Sequence, residues 1–271
     1  MIKIALIAGE GDLPLLVGKS LIQKNYDITF FVVNDNYSKN IYKNYKYVKI
    51  KLTSLKAIIN NFKLYQINKI IMIGRVQRPS IKDIKFDIET VKFIKNYFLE
   101  NKGDDKLLTS IQRYFSNKGF QLFDWTKHCH ELFSNEVYLT KKKPSKKAIL
   151  NKQKGLKTFK SFGKSDVGQA IAIQNEIILG LEASEGTDEL IKRCYKYKKK
   201  GDQGVIIKLS KYKQNKVLDI PAIGINTMRL LKKYKFEGIF LELNKCLIIN
   251  KEKVIKYANQ NNLFITSVKK N

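Results

Sequence analysis

The chain has 271 residues, 44% of them hydrophobic and 11% aromatic, a composition that can bury a sizeable core and excludes a disordered polymer. Its formal net charge is +28, from 52 Lys and Arg against 24 Asp and Glu. No apolar run approaches the ~20 residues that a bilayer-spanning helix needs, and the N-terminus MIKIALIAGEGDLP lacks the form of a secretory signal. A cytoplasmic protein is expected.

Such a cationic excess attracts anions of any kind, including nucleic acid, phosphorylated ligands and an anionic membrane face. Only Arg75, Arg78, Arg113, Arg193 and Arg229 are arginine, however, and the lysines are spread along the whole chain. Arginine is the residue that reads bases and grips phosphates bidentately. Its scarcity argues against a sequence-specific nucleic-acid reader. Abundant Lys, Asn, Ile and Tyr point instead to compositional drift of the kind an AT-rich genome favours. Cys129, Cys194 and Cys246 are far apart and lack metal-ligand spacing, so reduced thiols are expected; His128-Cys129-His130 is a weak metal signal.

The first apolar run, 2–8, ends in Gly9-Glu10-Gly11-Asp12-Leu13-Pro14, and a helical pattern follows. Strand, glycine turn and helix place this turn where open α/β sheets bind ligands, beside a helix N-terminus that favours phosphate. A third glycine of the dinucleotide fingerprint is missing, so NAD is a weak reading. Further strands are expected at 28–33, 47–52 and 69–73, with a helix over 55–65. The strand at 69–73 runs into Gly74-Arg75-Val76-Gln77-Arg78-Pro79, which puts two of the arginines at the ligand edge. A salt bridge is the competing explanation for each. Helices are expected at 86–99 and 107–115, with Lys102-Gly103-Asp104-Asp105-Lys106 between them. Paired carboxylates there either cap the helix or set a metal ligand beside a phosphate contact. A strand at 119–123 closes a parallel, doubly wound half.

The run 141–147 (KKKPSKK) reads as a linker, giving domains at 1–140 and 148–271. A basic amphipathic helix is expected at 149–162. After Ser165-Asp166-Val167-Gly168-Gln169, strands at 169–173 and 177–181 form a hairpin. The second strand leads into Glu182-Ala183-Ser184-Glu185-Gly186-Thr187-Asp188, whose oxygens suit a hard cation or, for Thr187 and Asp188, cap the following helix. Next comes the stretch KLSKYKQNKVLDIPAIG, 208–224, with Lys208, Lys211, Gln214 and Asp219 in one connection. Cations for a phosphate and a carboxylate for a metal arrive together there; the competing reading is a basic loop with a capping Asp. Strands at 238–243 and 247–249 about an Asn244-Lys245 turn, a helix at 251–259 and a strand at 263–268 complete a mixed sheet.

In order, AGEGDLP, GRVQRP, KGDD, DVGQAI, EASEGTD, K-x-x-K-x-x-Q ahead of DIPAIG, and GIFLE resemble the LpxI-type UDP-2,3-diacylglucosamine pyrophosphatase family of lipid A biosynthesis, over nearly the whole chain. The resemblance implies a Rossmann-like N-terminal domain and a C-terminal catalytic α/β domain with a mixed sheet. It implies cleavage of UDP-2,3-diacylglucosamine to lipid X and UMP with Mg²⁺, at the cytoplasmic face of the inner membrane, by a homodimer whose lipid product lies between the domains. Nucleic acid is not an expected partner. The family's essential aspartate falls on Asp219. Asn215 and Val217 depart from the Asp and Arg often found there.

On this footing Asp219, Lys208, Lys211 and Gln214 are the expected catalytic residues. Gly11, Asp12, Leu13, Arg75, Lys102, Asp104, Asp166, Gly168, Gln169 and Thr187 are expected to bind substrate. Asp219, Glu185, Asp188 and Asp105 are the expected metal ligands. A nucleotide-sugar transferase or dehydrogenase, or a basic nucleic-acid-binding module, is the alternative.

Overall fold

The computed structural model describes residues 1–33, 41–75, 89–93, 104–162, 167–211 and 220–270, with the side chains of 104–109 excepted. The chain divides into two compact units, Met1–Cys129 and His130–Asn271. The polar run 141–147, read from sequence as a linker, lies inside the second unit. There Ser145 donates its backbone N–H and its hydroxyl to Glu237, both at 2.8 Å.

In the first unit, strands β1 (Lys3–Ala8), β2 (Asp27–Val32), β3 (Tyr47–Lys49), β4 (Lys69–Ile73) and β5 (Gln121–Leu122) form one sheet in the order β3-β2-β1-β4-β5. Every pairing is parallel. Helix α1 (Leu13–Gln23) follows β1 and α2 (Leu55–Leu64) follows β3. In α2 the apolar positions Leu55, Ile58, Ile59 and Phe62 recur at helical spacing, and all four are buried. Phe62 meets Phe31 edge to face at 4.9 Å and Phe115 and Phe120 at 5.6 and 5.0 Å. Phe115 comes from α3 (Asp104–Asn117). Residues 89–93 are helical, as the sequence predicts; the rest of the helix expected over 86–99 lies outside the described residues.

The second unit opens with irregular chain and helix α4 (Lys146–Phe162). Its sheet runs β12-β10-β8-β6-β7. These are β6 (Ala170–Gln174), β7 (Ile177–Leu181), β8 (Val205–Lys208), β10 (Gly238–Glu242) and β12 (Phe264–Val268). The hairpin β6–β7 is antiparallel and turns on Asn175 and Glu176, both at positive φ (50° and 60°). Strand β6 is also antiparallel to β8, whereas β8, β10 and β12 are parallel, so the sheet is mixed.

Both faces of this sheet are covered, which is why its strands are continuous apolar runs. Ile171, Ile173, Val205, Ile207, Phe240 and Phe264 pack with Ala148 and Phe159 of α4. Alternate residues Ala170, Ala172, Ile206, Ile239, Leu241 and Ile265 pack on the other side with α5 (Thr187–Tyr195), α6 (Ile225–Lys233) and α7 (Lys251–Gln260). Cys194 and Cys246 lie in that second layer, and burial raises their thiols to about 11 and about 12. All three cysteines are free thiols.

One expected pairing is corrected. The sequence suggests that the strands at 238–243 and 247–249 face each other across a turn. Instead β11 (Leu247–Ile248) pairs in parallel with β9 (Ala222–Ile223), forming a separate two-stranded sheet. Both neighbours of β10 are already taken by β8 and β12, so the chain after β10 has no vacant edge to return to.

Candidate active site

In the first unit the chain leaves β1 toward β2 and β3, then crosses to β4 and β5 on the other side. The order reverses between β1 and β4, and the turns after these two strands emerge together at the sheet's carboxyl edge, where open α/β sheets bind ligands. The turns are clasped backbone to backbone. Glu10 N–H donates to Arg75 O at 2.7 Å, and Arg75 N–H donates to Glu10 O at 3.0 Å. The clasp needs glycine: a Cβ on Gly9 would stand 2.4 Å from Arg75 O, and one on Gly74 (φ +100°) would stand 2.7 Å from the carbonyl carbon of Gly9. Gly11, at φ +104°, faces open space, and Asp12 and Leu13 follow at the start of α1. Thus Glu10 of AGEGDLP and Arg75 of GRVQRP are joined by main-chain bonds. Arg78, Lys102 and the side chains of Asp104 and Asp105 lie outside the described residues.

In the second unit five strand ends meet at one edge of the mixed sheet. Strands β7, β8, β10 and β12 all end there, and antiparallel β6 begins there. Lys208, the last residue of β8, is only 5% exposed, and Glu182, just after β7, is 7% exposed. The Lys208 ammonium donates to the Thr187 hydroxyl and stands 3.8 Å from Glu182 Oε1. Thr187 donates to the same Oε1 at 2.9 Å. The other carboxylate oxygen, Oε2, accepts the Gln169 N–H at 3.0 Å.

Gly168 makes this meeting possible. A Cβ there would stand 1.8 Å from the Glu182 carbonyl oxygen, which is backbone and cannot swing aside. Gly168→Ala is expected to push Glu182 outward and destabilise the fold by about 1–3 kcal/mol. Chemical denaturation with and without the substitution measures it; an unchanged midpoint contradicts the close approach.

Beyond Lys208 the chain is pinned again. Leu209 N–H donates to Gln169 O at 2.8 Å, and the Ser210 N–H and hydroxyl both donate to Glu242 Oε2 at 2.7 Å. Lys270 donates to Ser210 O at 2.6 Å. Glu242 is the last residue of GIFLE, so that motif anchors the root of the Lys208–Gly224 connection. Lys211 is half-buried at the last described position before 212–219. Gln214 and Asp219 fall in that segment, and Asp166 in 163–166, so these three lie outside the described residues.

The expected metal ligands that are described have other partners. Glu185 accepts from Arg193 at 2.7 Å through Oε1 and from Ala183 N–H at 3.0 Å through Oε2, and the Arg193 guanidinium lowers its carboxyl from the usual value. Asp188 accepts from Thr227 at 2.8 Å and from Asn226 at 2.5 Å, tying α5 to α6. Among the described residues no group of three or more His, Cys, Asp or Glu is arranged to hold a metal ion. The described carboxylates therefore do not by themselves fit a cation site.

What the sequence did not single out is the role of Glu182. It was one acid among several in EASEGTD, and its distinction is burial against a lysine 26 positions on. Its place directly after a wholly apolar strand was the available signal.

Two family models match in tandem: the LpxI N-terminal domain over residues 3–132 and the LpxI C-terminal domain over residues 135–266. The chain belongs to the LpxI family. A curated relative, "UDP-2,3-diacylglucosamine pyrophosphatase LpxI" of Caulobacter vibrioides, is 27% identical over 202 residues, covering 72% of each chain. The junction between the LpxI models coincides closely with the division of this LpxI chain into two compact units at Cys129–His130.

Proposed function

We propose that this chain hydrolyses the pyrophosphate bond of UDP-2,3-diacylglucosamine to 2,3-diacylglucosamine 1-phosphate (lipid X) and UMP in lipid A biosynthesis. The observation that carries the reading is the pair of LpxI domain matches, which together span residues 3–132 and 135–266. The convergence of Gln169, Glu182, Thr187 and Lys208 at one sheet edge, which gathers a cation and polar donors, supports that reading. Neither a transferase or dehydrogenase nor a nucleic-acid module is favoured by that match.

Water attacks the α-phosphorus, the bond to the bridging oxygen breaks, and negative charge grows on the phosphoryl oxygens. Donors held ready before the reaction can stabilise such charge without reorganising. Lys208 and Lys211 are assigned to it, with Gln214 as a further polar contact from the same connection. Asp219 is assigned to the attacking water or to a cation. Gly11, Asp12, Leu13 and Arg75, at the reversal of the first unit's sheet, are assigned to the nucleotide or sugar. The same assignment extends to Lys102, Asp104, Asp166, Gly168, Gln169 and Thr187.

A divalent cation, Mg²⁺ by family resemblance, would neutralise the diphosphate and lower the cost of attack. Asp219 and Asp105 are its assigned ligands. Glu185 and Asp188 would join only by giving up their present partners. Among the described residues no helix is long and apolar enough to cross a membrane. Attraction of the +28 chain to an anionic inner-membrane surface is the proposed route to a lipid substrate, and a homodimer the proposed assembly.

Incubation with UDP-2,3-diacylglucosamine and Mg²⁺, followed by mass analysis, is expected to yield UMP and lipid X. Excess chelator is expected to abolish both. No UMP in the presence of Mg²⁺ overturns the hydrolase reading; undiminished UMP with chelator overturns the metal requirement alone.

A further inference from the structure

Glu182 is placed as a hub rather than as a surface acid. It is 7% exposed, and its two oxygens hold three segments that are distant in sequence. Oε2 takes the N–H of Gln169 at the start of β6, while Oε1 takes the hydroxyl of Thr187 at the start of α5 and faces the ammonium of Lys208 at 3.8 Å. Lys208 in turn donates to Thr187, closing a triangle of carboxylate, hydroxyl and ammonium. Among the described residues, other charged and titratable groups near this edge include Glu242, Lys270 and Cys246. Glu242 is occupied by Ser210 and stands 3.9 Å from Lys270, and Cys246 is a buried, protonated thiol. Glu182 is thus the carboxylate within ion-pair distance of Lys208 among the described residues.

A buried ammonium without a counter-ion is costly and would shed its proton or turn toward solvent. Glu182 gives the Lys208 ammonium an ion-pair partner, and Thr187 accepts from it, so its nitrogen is held in one place. We propose that Glu182 is a positioning residue that keeps the Lys208 ammonium charged and aimed at the substrate's phosphate. This rests on the pyrophosphatase reading for its catalytic consequence, but not for the charge state of Lys208. Glu182 itself touches no reacting atom; it acts through Lys208 and Thr187.

Glu182→Gln preserves the shape and can still accept from Gln169, but it removes the charge. Glu182→Asp keeps the charge on a shorter stem. Steady-state kinetics on UDP-2,3-diacylglucosamine are expected to show kcat lowered by about 10²-fold in E182Q, with KM moving by less than about threefold because uniform binding is spared. E182D is expected to recover at least about tenfold of that loss, since the ion pair is restored at longer range. A second readout is independent of turnover. In ¹⁵N-lysine-labelled wild-type protein, the Lys208 ammonium is expected to give a persistent ¹H–¹⁵N cross-peak, assigned by its absence in K208R. That peak is expected to vanish or to broaden at lower pH in E182Q and to survive in E182D.

A wild-type kcat in E182Q overturns the proposal. Equal impairment of E182Q and E182D with an unchanged cross-peak also overturns it, since that pattern belongs to a residue that merely packs. Should E182Q fail to fold by circular dichroism, E182D decides: an intermediate kcat with the cross-peak retained supports the role, and an unaltered or a fully lost kcat does not. If the wild-type protein releases no UMP, the hydrolase reading fails, and the cross-peak alone then tests the charge-holding role.

Discussion

Replacing Lys208 by methionine is expected to cost about 3–5 kcal/mol of stability and about 10²–10³ in kcat. The two losses have different origins. Methionine fills the space of the lysine stem, so packing at the end of β8 is conserved. What remains is the Glu182 carboxylate, 7% exposed, with its cation gone. An isolated buried charge is worse than no pair at all, so the fold suffers from what is left behind more than from what is removed. The catalytic loss comes from the missing ammonium at the diphosphate. Combining Lys208→Met with Glu182→Gln separates these effects. The double variant is expected to regain most of the stability in urea unfolding, because no unpaired charge remains, while kcat stays low. Equal destabilisation of the single and double variants would remove the ion pair from the account. Recovery of kcat in the double variant would remove Lys208 from the chemistry.

Asp219→Asn is expected to reduce kcat by roughly 10³-fold or more with the fold intact. Asn is nearly isosteric with Asp but carries no charge and cannot accept a proton or bind a hard cation as a carboxylate does. Chain on both sides is independently held, by Ser210 on Glu242 and by Leu247 N–H on Pro221 O at 2.8 Å. The melting temperature is therefore expected to stay within a few degrees of wild type, in contrast to Lys208→Met. UMP release at near wild-type rate by the Asn variant would refute the assignment.

Most of the fold was legible in the residues. Apolar runs such as KIALIA and KIIMI, separated by amphipathic stretches such as 55–64, require a sheet covered on both faces, and the structure has two. The hairpin was legible because two apolar runs, 169–173 and 177–181, flank a short polar break; the sequence puts the turn at Gln174-Asn175, and it sits one residue later, at Asn175-Glu176. The pairing of β11 was not legible. Leu247-Ile248 has the pattern of a strand, but its partner Ala222-Ile223 lies 25 residues earlier and is too short to signal itself.

The site was legible in part. By resemblance Lys208 is expected to be catalytic and Thr187, Gly168 and Gln169 to bind substrate, and the structure brings the four to one sheet edge. Sequence by itself determined the two α/β units, the glycine turns at their sheet edges and the reservoir of acids and bases near them, because periodicity and turn chemistry are local properties of the chain. Only the tertiary structure decided which acid meets which base. Glu185 went to Arg193, Asp188 to Thr227 and Asn226, and Glu182 to Lys208. Those partnerships depend on strand order and on how deeply each carboxylate is withdrawn from water, and burial is a property of the packed whole rather than of any short stretch.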